Sequence, residues 1–148
     1  MIHYVRLHQR QQKYFADYGD LVTFPHTSIL YYEGHVPLAG YLIVKGSILL
    51  LRRGKIVAEV GPGNLLGASE FNRRQPSPLR AIVTANGQLI ILGYSAMKEI
   101  HSCPEGVRML HEIFGEHNWY WNNNKKKDKK EMQNPPNTTN SNEDNHLC

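Results

Sequence analysis

The sequence has few of the features that mark an extracellular, membrane-spanning or zinc-binding protein. Only two cysteines, Cys103 and Cys148, occur among its 148 residues, too few for a disulfide framework and without metal-site spacing. No run approaches the roughly 18 to 20 consecutive apolar residues of a membrane helix, and the first residues lack the apolar centre of a signal peptide. We therefore expect a cytoplasmic protein with no membrane partner.

Patterns that support catalysis are also missing. None of the eight histidines forms a His-x-His pair, the strand pattern that places two metal ligands on one face. A serine nucleophile on a strained turn would need Gly-x-Ser-x-Gly, and Gly67-Ala68-Ser69 lacks the second glycine. We predict that the chain is not an enzyme and has no resident cofactor.

What the sequence does contain is enough apolar material for one domain. Hydrophobic residues make up 41% of the chain, and the net charge of +4 is compatible with an anionic ligand or partner. Residues 122–148 are rich in Asn and Lys, so little apolar burial is available to offset the entropy of ordering them. We predict an N-terminal helix in residues 1–19, a β domain with C-terminal helices in residues 20–121, and a disordered tail in residues 122–148.

Short apolar runs separated by glycine and proline fill the region from Asp20 to Gly93, which is typical of a sandwich or roll of short strands. Arg53-Gly54 and Asn86-Gly87 predict hairpins, the second with a type I′ turn, so a local antiparallel meander is the simplest topology. The fold class expected is mainly β with flanking helices, an antiparallel β-roll (double-stranded β-helix, cupin-like jelly roll) followed by a C-terminal helix. The predicted strands are Leu21–Phe24, Ser28–Tyr32, Tyr41–Val44, Ser47–Leu51, Lys55–Val60, Arg80–Ala85 and Gln88–Leu92.

Helical spacing of apolar residues marks both ends of this β region. From Tyr4 to Tyr18 the spacing predicts an entry helix that ends at Gly19. After the strands, Ser95 caps a turn that runs to His101, and Pro104 opens a longer helix. The apolar face of that helix, Val107 to Trp121, exceeds what a lone peripheral helix leaves in water, and we predict a homodimer through it. Its apolar positions include Val107, Leu110, Phe114 and Trp121.

The order of these segments resembles the sensor domain of catabolite-activator-like (Crp/Fnr-type) regulators and, more widely, the cyclic-nucleotide-binding-domain superfamily. The resemblance covers residues 20 to 121. It rests on Tyr32-Glu33-Gly34, on Tyr41-Leu42-Ile43-Val44-Lys45-Gly46-Ser47, on Gly61-Pro62-Gly63-Asn64-Leu65-Leu66-Gly67 and on Thr84-Ala85 after a polar insert. It implies a β-roll, a regulatory rather than catalytic role, and a cassette that binds a cyclic phosphate.

In the family, that cassette reads approximately F-G-E-[LI], an insert, then R-[AST]-A-x-V-x-A. The resemblance implies that the arginine pairs with the phosphate, that the glutamate accepts from the ribose hydroxyl, and that a helix N-terminus offers backbone N–H groups. Here Ala68 stands at the glutamate position and Leu79 at the arginine position. The cassette is therefore degenerate, and its candidate ligand-binding residues are Gly67, Ala68, Ser69, Glu70, Arg80 and Ala81.

Glu70 and Arg80 are the nearest substitutes for the missing charged pair. Because side chains alternate between faces along a strand, Arg80 beside Leu79 points away from the pocket unless a bulge shifts the register. Pro76 and Pro78 just upstream leave room for such a shift. The alternation favours solvated or structural roles for both residues.

The resemblance also implies a helix-turn-helix after the long helix, and no amphipathic helix pair follows Trp121. We therefore expect no direct sequence-specific DNA binding. The interpretation is a non-enzymatic sensor or interaction domain that acts through dimerisation or another regulatory protein and does not bind cyclic AMP in the usual way. The alternatives left open are a genuine receptor for a cyclic nucleotide or other small anion, and a small cupin-like enzyme.

Overall fold

The computed structural model describes residues 4–115, which form two antiparallel sheets flanked by helices. The mainly β class with flanking helices is thereby confirmed, and the arrangement is a β-roll. The secondary structure elements are β1 (Tyr4–Arg6), α1 (Gln9–Tyr18), β2 (Asp20–Phe24), β3 (Ser28–Tyr31), β4 (Gly40–Lys45), β5 (Ile48–Arg52), β6 (Lys55–Val60), β7 (Asn64–Leu66), α2 (Ala68–Arg73), β8 (Arg80–Val83), β9 (Gly87–Leu92), α3 (Tyr94–Ser102) and α4 (Pro104–Phe114).

The strands pair over long distances along the chain. The five-stranded sheet has the order β1-β7-β4-β9-β2, and the four-stranded sheet has the order β3-β8-β5-β6. Within these sheets β5 and β6 are the one pair of neighbours that are also consecutive in sequence. The predicted local meander is therefore wrong, since most strands find partners in a distant part of the chain.

The two predicted hairpins have different outcomes. Arg53 and Gly54, with φ of 53° and 78°, join β5 to β6 with the positive φ pair of a type I′ turn. Asn86-Gly87 instead connects β8 to β9, which belong to different sheets, so the hairpin predicted there is wrong. A glycine is needed at Gly87 because a Cβ would lie 2.8 Å from Val83 Cγ2.

Two hydrophobic cores lie on opposite faces of the five-stranded sheet. One is enclosed between the two sheets and contains Tyr31, Tyr41, Ile43 and Leu50. The other lies between the five-stranded sheet and the helices, and contains Phe15, Leu42, Met97, Ile100 and Leu110. Alternation along β4 explains the division, because Tyr41 and Ile43 point to one core and Leu42 to the other.

The N-terminal segment differs from the expected single helix. Tyr4–Arg6 form an edge strand against β7, with Val5 opposite Leu65, and the helix begins at Gln9. The Gln11 side chain accepts a hydrogen bond from the His8 backbone N–H at 3.1 Å, which helps to set the start of α1. The predicted end of this helix at Gly19 is correct.

The C-terminal helices begin close to the predicted points. Helix α3 starts at Tyr94, and α4 starts with Pro104 at its first position. Leu110, expected on a dimer seam, is 1% exposed and belongs to the helix-side core, so that part of the expectation is wrong. Helix α4 ends at Phe114 with Gly115 as its C-cap, so the prediction that it continues to Trp121 is wrong. Trp121 and the predicted tail of residues 122–148 lie outside the described residues.

Candidate functional site

The cassette segment makes a left-handed turn at Gly67, the conformation that glycine favours. Gly67 follows β7 with φ of 75° and caps helix α2, whose Phe71 N–H donates to the Gly67 carbonyl at 2.9 Å. A Cβ at Gly67 would lie 3.1 Å from the Ala39 carbonyl oxygen and 3.5 Å from the rings of Tyr31 and Tyr41. Glycine is needed here both for the left-handed backbone and for the close approach of these neighbours.

Tyr31 and Tyr41 fill the space beside Gly67. Their rings stack with centroids 6.1 Å apart, and both side chains are buried in the inter-sheet core. Burial raises the pKa of the Tyr31 phenol, and the Glu70 carboxylate and Tyr41 raise it further; burial likewise raises the pKa of Tyr41. Both phenols are therefore neutral at physiological pH. The buried Glu70 carboxylate lies close enough to Tyr31 to affect its pKa.

The two positions that the family uses for charge are packed apolar residues. Ala68 is 1% exposed and belongs to the helix-side core, close to Gly40 and Met97. Leu79 is 2% exposed and belongs to the inter-sheet core. Ser77 holds the Leu79 backbone, since its hydroxyl donates to the Leu79 carbonyl at 2.9 Å and accepts from the Leu79 N–H at 3.1 Å. Both positions are therefore occupied by side chains packed in a hydrophobic core.

Arg80 lies on the outer face of the four-stranded sheet. Strand β8 pairs with β5 without interruption, with Leu51 opposite Arg80 and Leu50 opposite Ala81. The guanidinium lies over the exposed Tyr32 ring, 5.7 Å from its centroid, and its Nε is buried with no hydrogen-bond partner within residues 4–115. The bulge near this site is in β3, between Ile29 and Tyr31, so it does not turn Arg80 inward.

The six candidate residues therefore divide into two groups. Gly67, Ala68 and Ala81 are fully buried, Ser69 is half-buried at the start of α2, and Glu70 is buried beside Tyr31. Arg80 stands on the opposite face of its sheet, beside Tyr32 rather than Tyr31. The fold does not bring Glu70 and Arg80 together as an inward-facing pair.

The polar insert between α2 and β8 is fastened to the loop after β3. The Gly34 N–H donates to the Ser77 carbonyl at 2.7 Å, and the Ser77 N–H donates to the His35 carbonyl at 2.9 Å. The Glu33 carboxylate accepts from the Arg53 N–H at 3.1 Å. The Glu33-Gly34 motif thus has a structural use here, because it closes one end of the roll.

A buried polar connection between α2 and α3 was not predicted. His101 and Asn72, 4% and 0% exposed, are linked by a 3.1 Å hydrogen bond from His101 Nε2 to Asn72 Oδ1. Asn72 Nδ2 donates to the Ala68 carbonyl at 2.7 Å. Buried polar groups in folded proteins are hydrogen-bonded, and the bond between His101 and Asn72 connects α2 to α3. The sequence signal for this connection was a spacing: His101 follows the core residue Met97 by four residues, which places both on the same face of α3.

Three further observations concern other kinds of site. Within residues 4–115, no three His, Cys, Asp or Glu side chains are grouped so that they could hold a metal ion. No helix in this part of the chain is long and apolar enough to span a membrane. His26 and His35 lie in the loops before and after β3.

Comparison with known proteins assigns the fold. No protein-family model matches the chain, and no curated protein matches it in sequence. A structure solved in work on a cyclic-GMP-dependent pathway that regulates bacterial phytopathogenesis matches with a TM-score of 0.62 and 18% identity, over 73% of this chain and 91% of the other. The Thermus thermophilus catabolite activator protein matches with a TM-score of 0.58 and 19% identity, over 85% of this chain and 59% of the other.

The N-terminal domain of a transcriptional regulator from Streptomyces coelicolor A3(2) also matches, with a TM-score of 0.57 and 18% identity over 88% of this chain and 90% of the other. These similarities define the fold of the described chain. It is the fold of cyclic-nucleotide-binding domains, in the form found in catabolite-activator-like regulators, as the sequence motifs predicted. At these identities the likeness concerns the fold.

Proposed function

We propose that the chain is a non-enzymatic sensor or interaction domain that does not bind cyclic AMP in the usual way. Its structural neighbours include a catabolite activator protein and the N-terminal domain of a transcriptional regulator, which supports a regulatory role. The observation that carries the proposal is the outward position of Arg80, combined with the apolar burial of Leu79 and Ala68.

The loss of affinity follows from the two missing charges. A charge-assisted hydrogen bond contributes on the order of 1.5 to 3 kcal/mol, so losing the arginine and the glutamate removes roughly 3 to 6 kcal/mol. At about 1.4 kcal/mol per tenfold change, a micromolar site weakens by roughly two to four orders of magnitude. The stacked Tyr31 and Tyr41 rings also occupy the space beside Gly67.

Calorimetric titration of the purified full chain with cyclic AMP and cyclic GMP tests this proposal. We expect no saturable heat at micromolar nucleotide, both for the natural chain and for Arg80→Ala. The matched control is Arg52→Ala, an exposed arginine at the end of the neighbouring strand β5. A low-micromolar Kd that is abolished by Arg80→Ala or Glu70→Gln, but kept by Arg52→Ala, would establish the receptor alternative instead.

The proposed output is contact with another protein chain rather than with DNA or a membrane. We propose a cytoplasmic homodimer formed through the region from Val107 to Trp121, which begins on α4, or binding to a second regulatory protein through the same region. Val107 is half-buried on α4, whereas Leu110 is in the core. Light scattering of the full chain should give a dimer, and Val107→Glu should shift it toward the monomer, while Arg108→Glu on the exposed side serves as the control.

Metal analysis of the purified protein separates this proposal from the cupin-like enzyme. A regulatory domain of the kind proposed retains no stoichiometric transition metal after purification. One equivalent of bound iron, zinc or manganese would contradict the non-enzymatic assignment.

A further inference from the structure

Helix α1 covers only part of the outer face of the five-stranded sheet. A row of aliphatic residues crosses this face, since Leu65 is opposite Leu42, Leu42 is opposite Ile90, and Ile90 is opposite Leu21. Leu65, Leu42 and Ile90 are buried beneath the helices, whereas Leu21 is 59% exposed. Val44, which is 42% exposed, lies beyond Leu42 on β4. The row therefore emerges from the core into an open groove.

This α1 groove lies between α1, the strands β2, β4 and β9, and the Pro62-Gly63 loop, and its volume is about 760 Å³. That size lies within the range of small-molecule sites, roughly 300 to 1,000 Å³. Its floor is aliphatic, with no aromatic ring among the described residues that line it. A flexible hydrocarbon chain fits such a floor better than a planar ring, which would leave gaps between branched side chains. The floor residues are Leu21, Leu42, Val44 and Ile90.

The rim of the groove carries positive charge. Arg10 and Lys13 line it from α1, and no carboxylate is among the lining residues described. The N-terminal turn of α1 is at the same end, and its partial positive charge adds to theirs. Arg10 and Lys13 also face a smaller cleft that contains Asp17, Glu105 and Glu112, where Arg10 pairs with Glu112 at 3.9 Å. The Arg10 and Glu112 side chains are 74% and 42% exposed, so solvent screens this pair and the contact holds Arg10 weakly.

We propose that the α1 groove binds an amphiphilic anion, that is, an unbranched aliphatic chain with a carboxylate head group. The chain lies over Leu21, Val44 and Ile90 and completes the burial that α1 leaves unfinished. The head group is placed beside Lys13 and Arg10, which leave the acidic cleft for a stronger partner. This site is separate from the cassette, so its existence does not depend on whether a cyclic nucleotide binds.

The test is calorimetric titration of the full chain with dodecanoate below its micelle concentration. We expect saturable one-to-one binding, and binding at least about tenfold weaker for dodecyltrimethylammonium, which has the same chain length but the opposite head-group charge. Lys13→Glu should weaken dodecanoate binding by about tenfold, because it replaces attraction with repulsion at the rim. Lys55→Glu, an exposed lysine on the other sheet, should leave binding within about twofold.

A second pair of variants, one in the groove and one on the other sheet, tests the role of the floor. Leu21→Glu should weaken binding by more than about tenfold, because a carboxylate then stands where the chain lies. Ile56→Glu places the same side chain at a residue that is 60% exposed on the other sheet, and should leave dodecanoate binding unchanged. Both variants alter exposed residues, and thermal unfolding followed by circular dichroism confirms that they fold.

Several results would overturn the proposal. These are the absence of saturable dodecanoate binding, equal affinity for the cationic amphiphile, and an equal loss of affinity in Ile56→Glu, which would indicate general surfactant adsorption. Binding only to phosphatidylglycerol vesicles, with none to free dodecanoate, would assign the groove to a membrane surface and reject a free ligand.

Discussion

The space beside Gly67, filled by Tyr31 and Tyr41, and the α1 groove lie against opposite faces of the same five-stranded sheet, and these two regions differ in almost every respect. Beside Gly67 the space is closed by aromatic rings, and the expected charges are replaced by buried Ala68 and Leu79. In the groove the floor is aliphatic and open, and the rim is cationic. The difference teaches that a motif's backbone can persist where its charged side chains are replaced by packed apolar ones, while an open cavity forms at a place that no sequence motif marks.

The largest expected effect tests whether the cassette region is closed. Leu79→Arg restores the residue type that the family pattern has there, but in this chain it buries a charge at a position that is 2% exposed. We expect a loss of more than about 4 kcal/mol in the free energy of unfolding, measured by urea denaturation. Leu21→Arg in the groove should change it by less than about 0.5 kcal/mol. Tolerance of Leu79→Arg would reveal a hidden polar pocket and remove the contrast between the two regions.

The second prediction concerns the polar connection behind the cassette. Asn72→Ala removes the partner of the Ala68 carbonyl and of His101 Nε2 in a fully buried setting. Each buried group that loses a hydrogen bond costs about 1–3 kcal/mol, so for the two groups we expect a loss of about 2–6 kcal/mol in the free energy of unfolding. Ser28→Ala, which removes an exposed hydrogen bond to the His26 carbonyl, should cost less than about 0.5 kcal/mol. Equal effects of the two substitutions would mean that α2 is not fastened to α3 through Asn72.

The third prediction tests the tight approach at Gly67. Gly67→Ala forces a side chain into the left-handed region and to within 3.1 Å of the Ala39 carbonyl oxygen. We expect a loss of about 1–2 kcal/mol in the free energy of unfolding from the backbone conformation. Gly61→Ala is the matched control, since a Cβ there meets nothing within 4 Å. A neutral Gly67→Ala would indicate that the tyrosine rings yield easily and that the region is looser than described.

The smallest expected effect appears at alkaline pH. Burial raises the folded-state pKa of Tyr31 above its unfolded value of about 10, so the folded chain keeps a proton that the unfolded chain loses. Stability from this group is therefore complete below pH 10 and declines as the pH rises further, by at most about 1.4 kcal/mol per pH unit. Tyr31→Phe should flatten the decline measured by urea denaturation between pH 9 and 11, whereas Tyr32→Phe, at an exposed residue, should not. Identical slopes would place Tyr31 in contact with water.

Much of the fold was accessible from the sequence, because the relevant signals are local. Seven strands were predicted close to their observed positions, and Pro104 marked the start of α4. Strands β1 and β7 were missed because three residues are too few to show a period of two. The Asn86-Gly87 hairpin was wrong because turn chemistry does not report which sheet the next strand joins, and here β9 crosses to the other one.

The candidate site likewise has features that the sequence predicted and features that it could not predict. Alternation along β8 correctly placed Arg80 on the face away from Leu79, since that rule needs no knowledge of distant residues. The packing of the tyrosine rings on Gly67 and the row that ends at Leu21 depend on cross-strand register, which joins residues far apart in the chain. The apolar face of α4 was interpreted as a dimer seam because the sequence could not show that Leu110 packs inside its own chain.

The pairing of distant strands has a consequence for how the chain acquires its structure. Tyr4 pairs with Leu66, and Asp20 pairs with Ile91, so strands β1 and β2 must wait for partners that are synthesised much later. Because closing long loops delays such contacts, folding should take milliseconds to seconds, in the range of all-β proteins. In the β5–β6 hairpin Arg52 pairs with Lys55, only three residues further along the chain, so this hairpin can form first. A nascent chain stalled before β9 would expose the unpaired edge of β2, and is the species on which a chaperone would act.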